Sequence, residues 1–187
     1  TGPMTNLGMA MRLEPAIIPK IQEIVLMGGA YTNGNVTPAA EFNIIADADA
    51  AYVASTSGRP ITMVGLDVTR KALCYPSVVE RMDKIGNKAS KLFVDLMKHF
   101  CASQKAVFGW EGGPLHDPIT IAYLIDPSIL KTKPMHAEID IRSTQSYGRT
   151  NCDFFNYQKK EPNANVGIDI DVEKFWDLVE DNLRKYS

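Results

Sequence analysis

The chain has 187 residues, 45% of them hydrophobic, 22% charged and 9% aromatic, a composition that suits one globular domain with a sizeable core and excludes a disordered or collagen-like chain. Its 20 Lys and Arg against 22 Asp and Glu give a formal charge of −2, so the basic footprint that non-specific nucleic-acid binding requires is missing. No apolar run approaches the roughly 18 residues of a membrane span, and no basic-then-apolar leader opens the chain, so the expectation is a single cytoplasmic domain over residues 1–187. The cysteines Cys74, Cys101 and Cys152 are odd in number and far apart, without a C-x-x-C pair. That argues against a disulfide framework or a zinc knuckle and predicts reduced, buried thiols.

Thr1-Gly2-Pro3-Met4-Thr5-Asn6 is turn chemistry, followed by an apolar helical pattern at Leu7, Met9, Ala10 and Leu13. A chain that opens in a turn predicts a further segment upstream of it. Ile24-Val25-Leu26-Met27, stopped by Gly28-Gly29, reads as a buried parallel strand ending in a tight turn. A polar loop from Tyr31 to Asn43 follows, then an alanine-rich helix over Asp47 to Ser57 closed by Gly58. Ile61 to Leu66 is the next buried strand, which completes a βαβ unit.

Val78, Val79, Met82 and Ile85, then Leu92, Phe93, Leu96, Met97 and Phe100, recur at three- and four-residue intervals around Gly86-Asn87, predicting two consecutive amphipathic helices. Gly109 to Pro114 is a glycine-rich loop, and His116-Asp117-Pro118 opens a short helix with Asp117 as cap and Pro118 at its first position. Ala137 to Ile141, Thr150 to Tyr157 and Val166 to Ile170 read as strands. Asp171 then caps a final helix with Val172, Phe175, Trp176, Val179 and Leu183 on one face. The order of these elements predicts an α/β fold.

Several polar clusters fall after strands or at helix starts, where open α/β sheets bind ligands. The segment Gly28 to Asn35, continued by Ala40-Glu41-Phe42-Asn43, can offer amides and a carboxylate to a hydroxyl-rich ligand such as a sugar; on the residues alone a solvated turn-forming loop is the plainer reading. His116 beside Asp117 offers an imidazole for proton transfer and a carboxylate for a hard cation, or an incidental His next to a helix cap. Asp47 and Asp49 read as helix-start charge compensation, and Asp67 as a turn or cap residue. His99, among lysines, and His136, without an evident partner, carry no site.

Taken in order, the segments Thr1-Gly-Pro-Met-Thr-Asn6, Met27-Gly-Gly-Ala with Gly34-Asn35, Ala40-Glu-Phe-Asn43, Pro60 to Thr69 and Pro114-Leu-His-Asp-Pro118 closely resemble the inosine–uridine-preferring nucleoside hydrolases over nearly the whole chain. The resemblance implies the family's α/β fold, here incomplete, with an open, mostly parallel Rossmann-like sheet and flanking helices, and hydrolysis of the N-glycosidic bond of ribonucleosides in nucleoside salvage, with a lean toward pyrimidine nucleosides, a Ca2+ cofactor and a homo-oligomer, tetramer or dimer. It places Thr1, through its carbonyl, and Asp117 among the calcium ligands. Asn35, Glu41 and Asn43 fall on the ribose hydroxyls, Met27 on the sugar pocket, and His116 near the leaving base as candidate general acid. Gln104 and Phe108 fall in a stretch that contacts the nucleobase in pyrimidine-preferring relatives.

The family's aspartate cluster, D-x-D-x-x-x-D-D, which supplies most calcium carboxylates and the general base, occurs nowhere in these 187 residues. The resemblance is therefore to the C-terminal part of the enzyme. The expectations are a chain inactive on its own, weak calcium binding, and an N-terminal fragment of the same enzyme as partner. The alternative from a different class is a non-catalytic α/β ribose-binding or interaction module derived from a nucleoside hydrolase. A general Rossmann nucleotide binder is the weakest reading, since no G-x-G-x-x-G follows a strand.

Overall fold

The computed structural model describes residues 1–186. In chain order the elements are α1 (Thr5–Leu13), a 3₁₀ turn (Pro15–Lys20), β1 (Ile24–Met27), α2 (Phe42–Ile45), α3 (Ala48–Ser55), β2 (Ile61–Val64), α4 (Leu66–Thr69), β3 (Leu73–Cys74), α5 (Pro76–Asp83) and α6 (Lys88–Phe108). They continue with β4 (Gly113–Pro114), α7 (Pro118–Ile125), β5 (Leu130–Met135), β6 (Ala137–Ile139), β7 (Thr150–Cys152), β8 (Ala164–Ile170) and α8 (Val172–Leu183). They gather into two compact units. One comprises Thr1–Val68 with Leu130–Asp169, the other Thr69–Ile129 with the chain from Ile170 onward.

The first unit is built on a four-stranded sheet in the order β1-β2-β8-β5. β1 and β2 pair in parallel from Ile24↔Ile61 to Met27↔Val64, and β2 pairs in parallel with β8 through Thr62↔Asn165 and Met63↔Val166. β5 lies at the edge. At its two ends Asn163 N donates to the Met135 carbonyl at 3.1 Å and Asp171 N to that of Ile129 at 2.9 Å, an antiparallel run that makes the sheet mixed but mostly parallel. β1 and β2 form where apolar runs are flanked by Pro and Gly, and all four β2 residues are buried, as a strand covered on both faces should be. The core of this unit joins Met11 of α1, Ile24 and Leu26 of β1, Ala48, Ala51 and Ala54 of α3, and Met63 of β2. β6 and β7 form an antiparallel ribbon, Ala137↔Cys152 to Ile139↔Thr150.

The second unit is helical, with the short antiparallel pair β3–β4. Pro76 opens α5, where it brings no N–H to leave orphaned, while Asn87 caps α6 by accepting from Ser90 N and Asp171 caps α8 by accepting from Lys174 N at 3.0 Å, each of the two caps satisfying a donor a helix start leaves orphaned. Phe175 and Trp176 of α8 are fully buried, with Val79 and Met82 of α5, Val94 and Met97 of α6, and Ile119 and Ala122 of α7 also buried. Arg81 ion-pairs with Asp177 and Glu180, which ties α5 to α8.

The predicted strand Ile61 to Leu66 stops at Val64, with α4 starting at Leu66, and the predicted strand Thr150 to Tyr157 stops at Cys152. There Asp153 turns the chain by accepting from Tyr157 N and Gln158 N at 2.8 and 2.7 Å. In α1 the buried residues are Gly8 and Met11, while Met9 and Leu13 are exposed. β5 was not anticipated.

Candidate active site

The residues expected to meet a sugar converge at the C-terminal end of β1. Met27 ends the strand, and Gly29 turns the chain at φ +74, a conformation that costs glycine nothing and other residues strain. The turn aims Gly29 N at Glu41 Oε2, at 2.9 Å, and the same oxygen accepts from Asn43 N at 2.9 Å. Glu41 thus serves as the N-cap of α2 and as a cross-tie to β1. Asn43 closes the circuit, its Nδ2 donating to the Met27 carbonyl at 3.0 Å and contacting the Met27 sulfur at 3.4 Å. Met27, Glu41 and Asn43 are all buried, Glu41 to 3% exposure. Asn35 is exposed and local: its Oδ1 accepts from Phe42 N at 2.9 Å, fixing the tight loop in which Asn35 N and Val36 N donate to the Ala40 carbonyl.

Two residues outside the predicted set hold this loop. Asp67 accepts from Tyr31 N at 2.7 Å and from the Thr32 hydroxyl, a carboxylate shaping the turn as its position after a strand suggested. Thr150 was missed. Its Oγ1 accepts from Ala30 N at 2.9 Å and donates to the Ala30 carbonyl at 2.6 Å, and nothing local marks a threonine 120 residues away as the partner of this backbone.

His116, Asp117, Gln104 and Phe108 belong to the second unit; Thr1, exposed, belongs to the first. His116 Nδ1 lies 2.6 Å from the hydroxyl of buried Thr69. Burial pushes the imidazole pKa down to about 4, with Asp117 opposing and Arg70 assisting the shift, so the ring is neutral at pH 7. Asp117 sits at the N-cap position of α7 in helical geometry, and its side chain caps nothing. The predicted cap therefore holds for position but not for the hydrogen bond, and the exposed carboxylate projects from the helix start. Gln104 is half-buried on α6, and Phe108, exposed at its end, stacks on Trp110 with ring centroids 5.0 Å apart. His136, expected to lack a partner, has Nδ1 at 3.1 Å from the Glu161 carbonyl. Asp47 caps α3 through Ala50 N at 3.0 Å and accepts from the Thr5 hydroxyl. Cys74 is buried, whereas Cys101 and Cys152 are half-buried; all three are free thiols.

The calcium expectation meets a plain obstacle. Among the described residues no three His, Cys, Asp or Glu side chains converge on a point that could hold a metal, whereas calcium takes roughly six to eight oxygens. These residues on their own do not make its site. Among the described residues, no helix is long and apolar enough to cross a membrane.

The profile of the family described as "Inosine-uridine preferring nucleoside hydrolase" matches residues 1–177. The chain belongs to this family. Within the nucleoside hydrolases it is 50% identical over 185 residues to the pyrimidine-specific ribonucleoside hydrolases RihB of Shigella flexneri and Escherichia coli, covering 99% of this chain and 59% of theirs. Among solved structures, the fold superposes on the purine-preferring ribonucleoside hydrolase of Gardnerella vaginalis with a TM-score of 0.86 at 33% identity, covering 98% of this chain and 60% of that one. It superposes on the plant nucleoside hydrolase PpNRh1 with a TM-score of 0.90 at 26% identity, covering 99% and 60%. The chain thus spans about three-fifths of the length of these relatives.

Proposed function

We propose that this chain serves the hydrolysis of the N-glycosidic bond of ribonucleosides to ribose and free base, with a pyrimidine lean. The observation that carries the reading is the buried Glu41 carboxylate, which joins the Gly29 turn to Asn43 at the C-terminal end of a parallel strand. A sugar diol needs acceptors and donors held rigidly, so that contacts can tighten as positive charge develops on the ring. Glu41, Asn43 and Asn35 supply those chemistries, and Met27 an apolar wall. The pyrimidine lean rests on the 50% identity to relatives named pyrimidine-specific.

For the leaving base the candidate is His116. When the Thr69 hydroxyl donates to Nδ1, the neutral ring carries its proton on Nε2 and offers that N–H as a hydrogen bond to the base as charge builds there; full proton transfer requires the imidazolium, which a pKa of about 4 leaves scarce at pH 7. Gln104 and Phe108 are the proposed base contacts. Thr1 in the first unit and Asp117 in the second are each proposed as a calcium ligand, other ligands being needed beyond these residues, and no step is derived through the ion. A homo-oligomer and an aspartate-bearing partner segment complete the proposal.

The test pairs the 187-residue chain with the aspartate-bearing segment of a RihB relative that lies outside the matched region, supplied as a second polypeptide with uridine. Release of uracil and ribose by the pair, absent from the chain alone and abolished by E41A, supports the reading. Hydrolysis by the chain alone refutes the need for the aspartates. A stable pair that binds uridine without hydrolysing it supports the ribose-binding module instead.

A further inference from the structure

Cys74, on β3, and Cys101, on α6, lie in the second unit, and neither is assigned a role above. The Cys101 thiol donates to the Cys74 carbonyl at 3.3 Å and accepts from Gly113 N at 3.2 Å, so one sulfur sits at the junction of β3, β4 and α6. The junction is tight because its glycines admit no side chain. A Cβ on Gly112 would stand 2.8 Å from the Cys74 carbonyl oxygen, and one on Gly113 2.5 Å from the Phe100 ring and 3.4 Å from the Cys101 sulfur. The Cys74 and Cys101 thiols also act on each other directly: contact with Cys101 adds to burial in raising the Cys74 pKa to about 12. Cys152 belongs to the other unit.

We propose that Cys74 and Cys101 form a disulfide when the protein meets a low-molecular-weight disulfide, making this junction a redox-modifiable clamp on the strand pair that leads into His116. Half-buried Cys101 is the entry point. Its thiolate attacks one sulfur of the reagent, forming a mixed disulfide and releasing one reagent thiolate. Cys74 then gives up its proton and attacks the Cys101 sulfur, releasing the second reagent thiol. Two protein thiols are oxidised by two electrons and the reagent disulfide is reduced to two thiols. Because the Cys101 sulfur already lies 3.3 Å from the Cys74 carbonyl, the second step is intramolecular and outruns displacement by solvent thiols. The bridge replaces the Gly113 N–H bond to sulfur with a covalent link between β3 and α6, three residues before Gln104.

The test incubates the folded chain with oxidised glutathione, quenches with acid, blocks residual thiols with N-ethylmaleimide in urea and maps the peptides by mass spectrometry. The expected result is a fall in free thiols from three to one, with Cys74 joined to Cys101, no glutathione retained, and Cys152 alkylated. The C101S variant, which keeps an acceptor for Gly113 N, is expected to leave Cys74 unmodified. A persistent glutathione adduct on Cys101, a bridge that includes Cys152, or three unreacted thiols under reagent excess would each overturn the proposal.

Discussion

Replacing Glu41 by Ala tests whether one carboxylate organises the loop from Gly28 to Asn43. In the structure Oε2 accepts from Gly29 N and Asn43 N, both at 2.9 Å, in surroundings where Glu41 is 3% exposed. Truncation leaves two buried N–H groups without an acceptor, at about 1–3 kcal/mol each. The two bonds share one oxygen, so their losses overlap, and about 2–4 kcal/mol is expected in total. Other ties survive the change, including Leu66 N to the Gly29 carbonyl at 2.9 Å and Ala30 to Thr150, so the opening is local. Native-state amide exchange reads it directly: a local opening cheaper by that amount speeds exchange at Gly29 and Asn43 by roughly 30- to 700-fold. E41Q keeps an oxygen acceptor and loses the charge, for about 1 kcal/mol and roughly fivefold. Acceleration below about threefold at both amides in E41A would refute the reasoning, as would equal acceleration across β2 and α3, which would make Glu41 a global stabiliser rather than a loop tie.

Substituting Thr69 by Val removes the hydroxyl 2.6 Å from His116 Nδ1 with little change in volume. The expected outcome is a cost of about 1–2 kcal/mol and loss of the single Nε2–H tautomer in nitrogen NMR, whereas an unchanged tautomer would remove Thr69 from the argument. The Lys174 ammonium, 2.7 Å from Asp126, and the Ser128 side chain and backbone hold the Asp126 carboxyl down at about 2. Because the folded-state value lies below the ordinary 3.8 of an aspartate, this contribution is present above that value and is lost as pH falls through about 2; carboxyl NMR of K174A is expected to show Asp126 titrating higher than in the parent. Burial pushes the Cys152 thiol up to about 12, so its alkylation by iodoacetamide at mildly alkaline pH is expected to run about a thousandfold slower in the folded chain than in urea. Equal rates in the two states would contradict that burial.

The elements legible from sequence are those whose signal is local. β1 and β2 are apolar runs bounded by Gly and Pro, and α8 announces itself through the Asp171 cap and a face led by Phe175 and Trp176. β5 was illegible because Leu130-Lys-Thr-Lys-Pro-Met135 is polar in its middle and carries Pro134. It is an edge strand in which only Leu130 and Met135 are buried, and edges tolerate Lys and Pro. Lys133 finds its place only in three dimensions, over the Phe154 ring at 3.9 Å from the centroid with Nζ donating to the Phe154 carbonyl at 2.6 Å. The face of α1 was misread for a related reason. A Cβ on Gly8 would stand 2.8 Å from that of Ala50, so the helix packs through a glycine, which carries no hydrophobic signal for periodicity to detect.

By itself the sequence determined the residue chemistry of the sugar loop, the family pattern of its ordered motifs, and each helix or strand whose capping and periodicity are written within a few residues. Only the tertiary structure decided that Glu41 reaches back to Gly29, that Asp67 holds Tyr31 and Thr32, and that Thr150 clasps Ala30. Each of these bonds joins a common polar side chain to a backbone or hydroxyl group 12 to 120 residues away. A hydrogen bond places demands on the geometry between its partners and none on the residues beside them, so it leaves no periodic trace in the chain and exists only once the strands have paired.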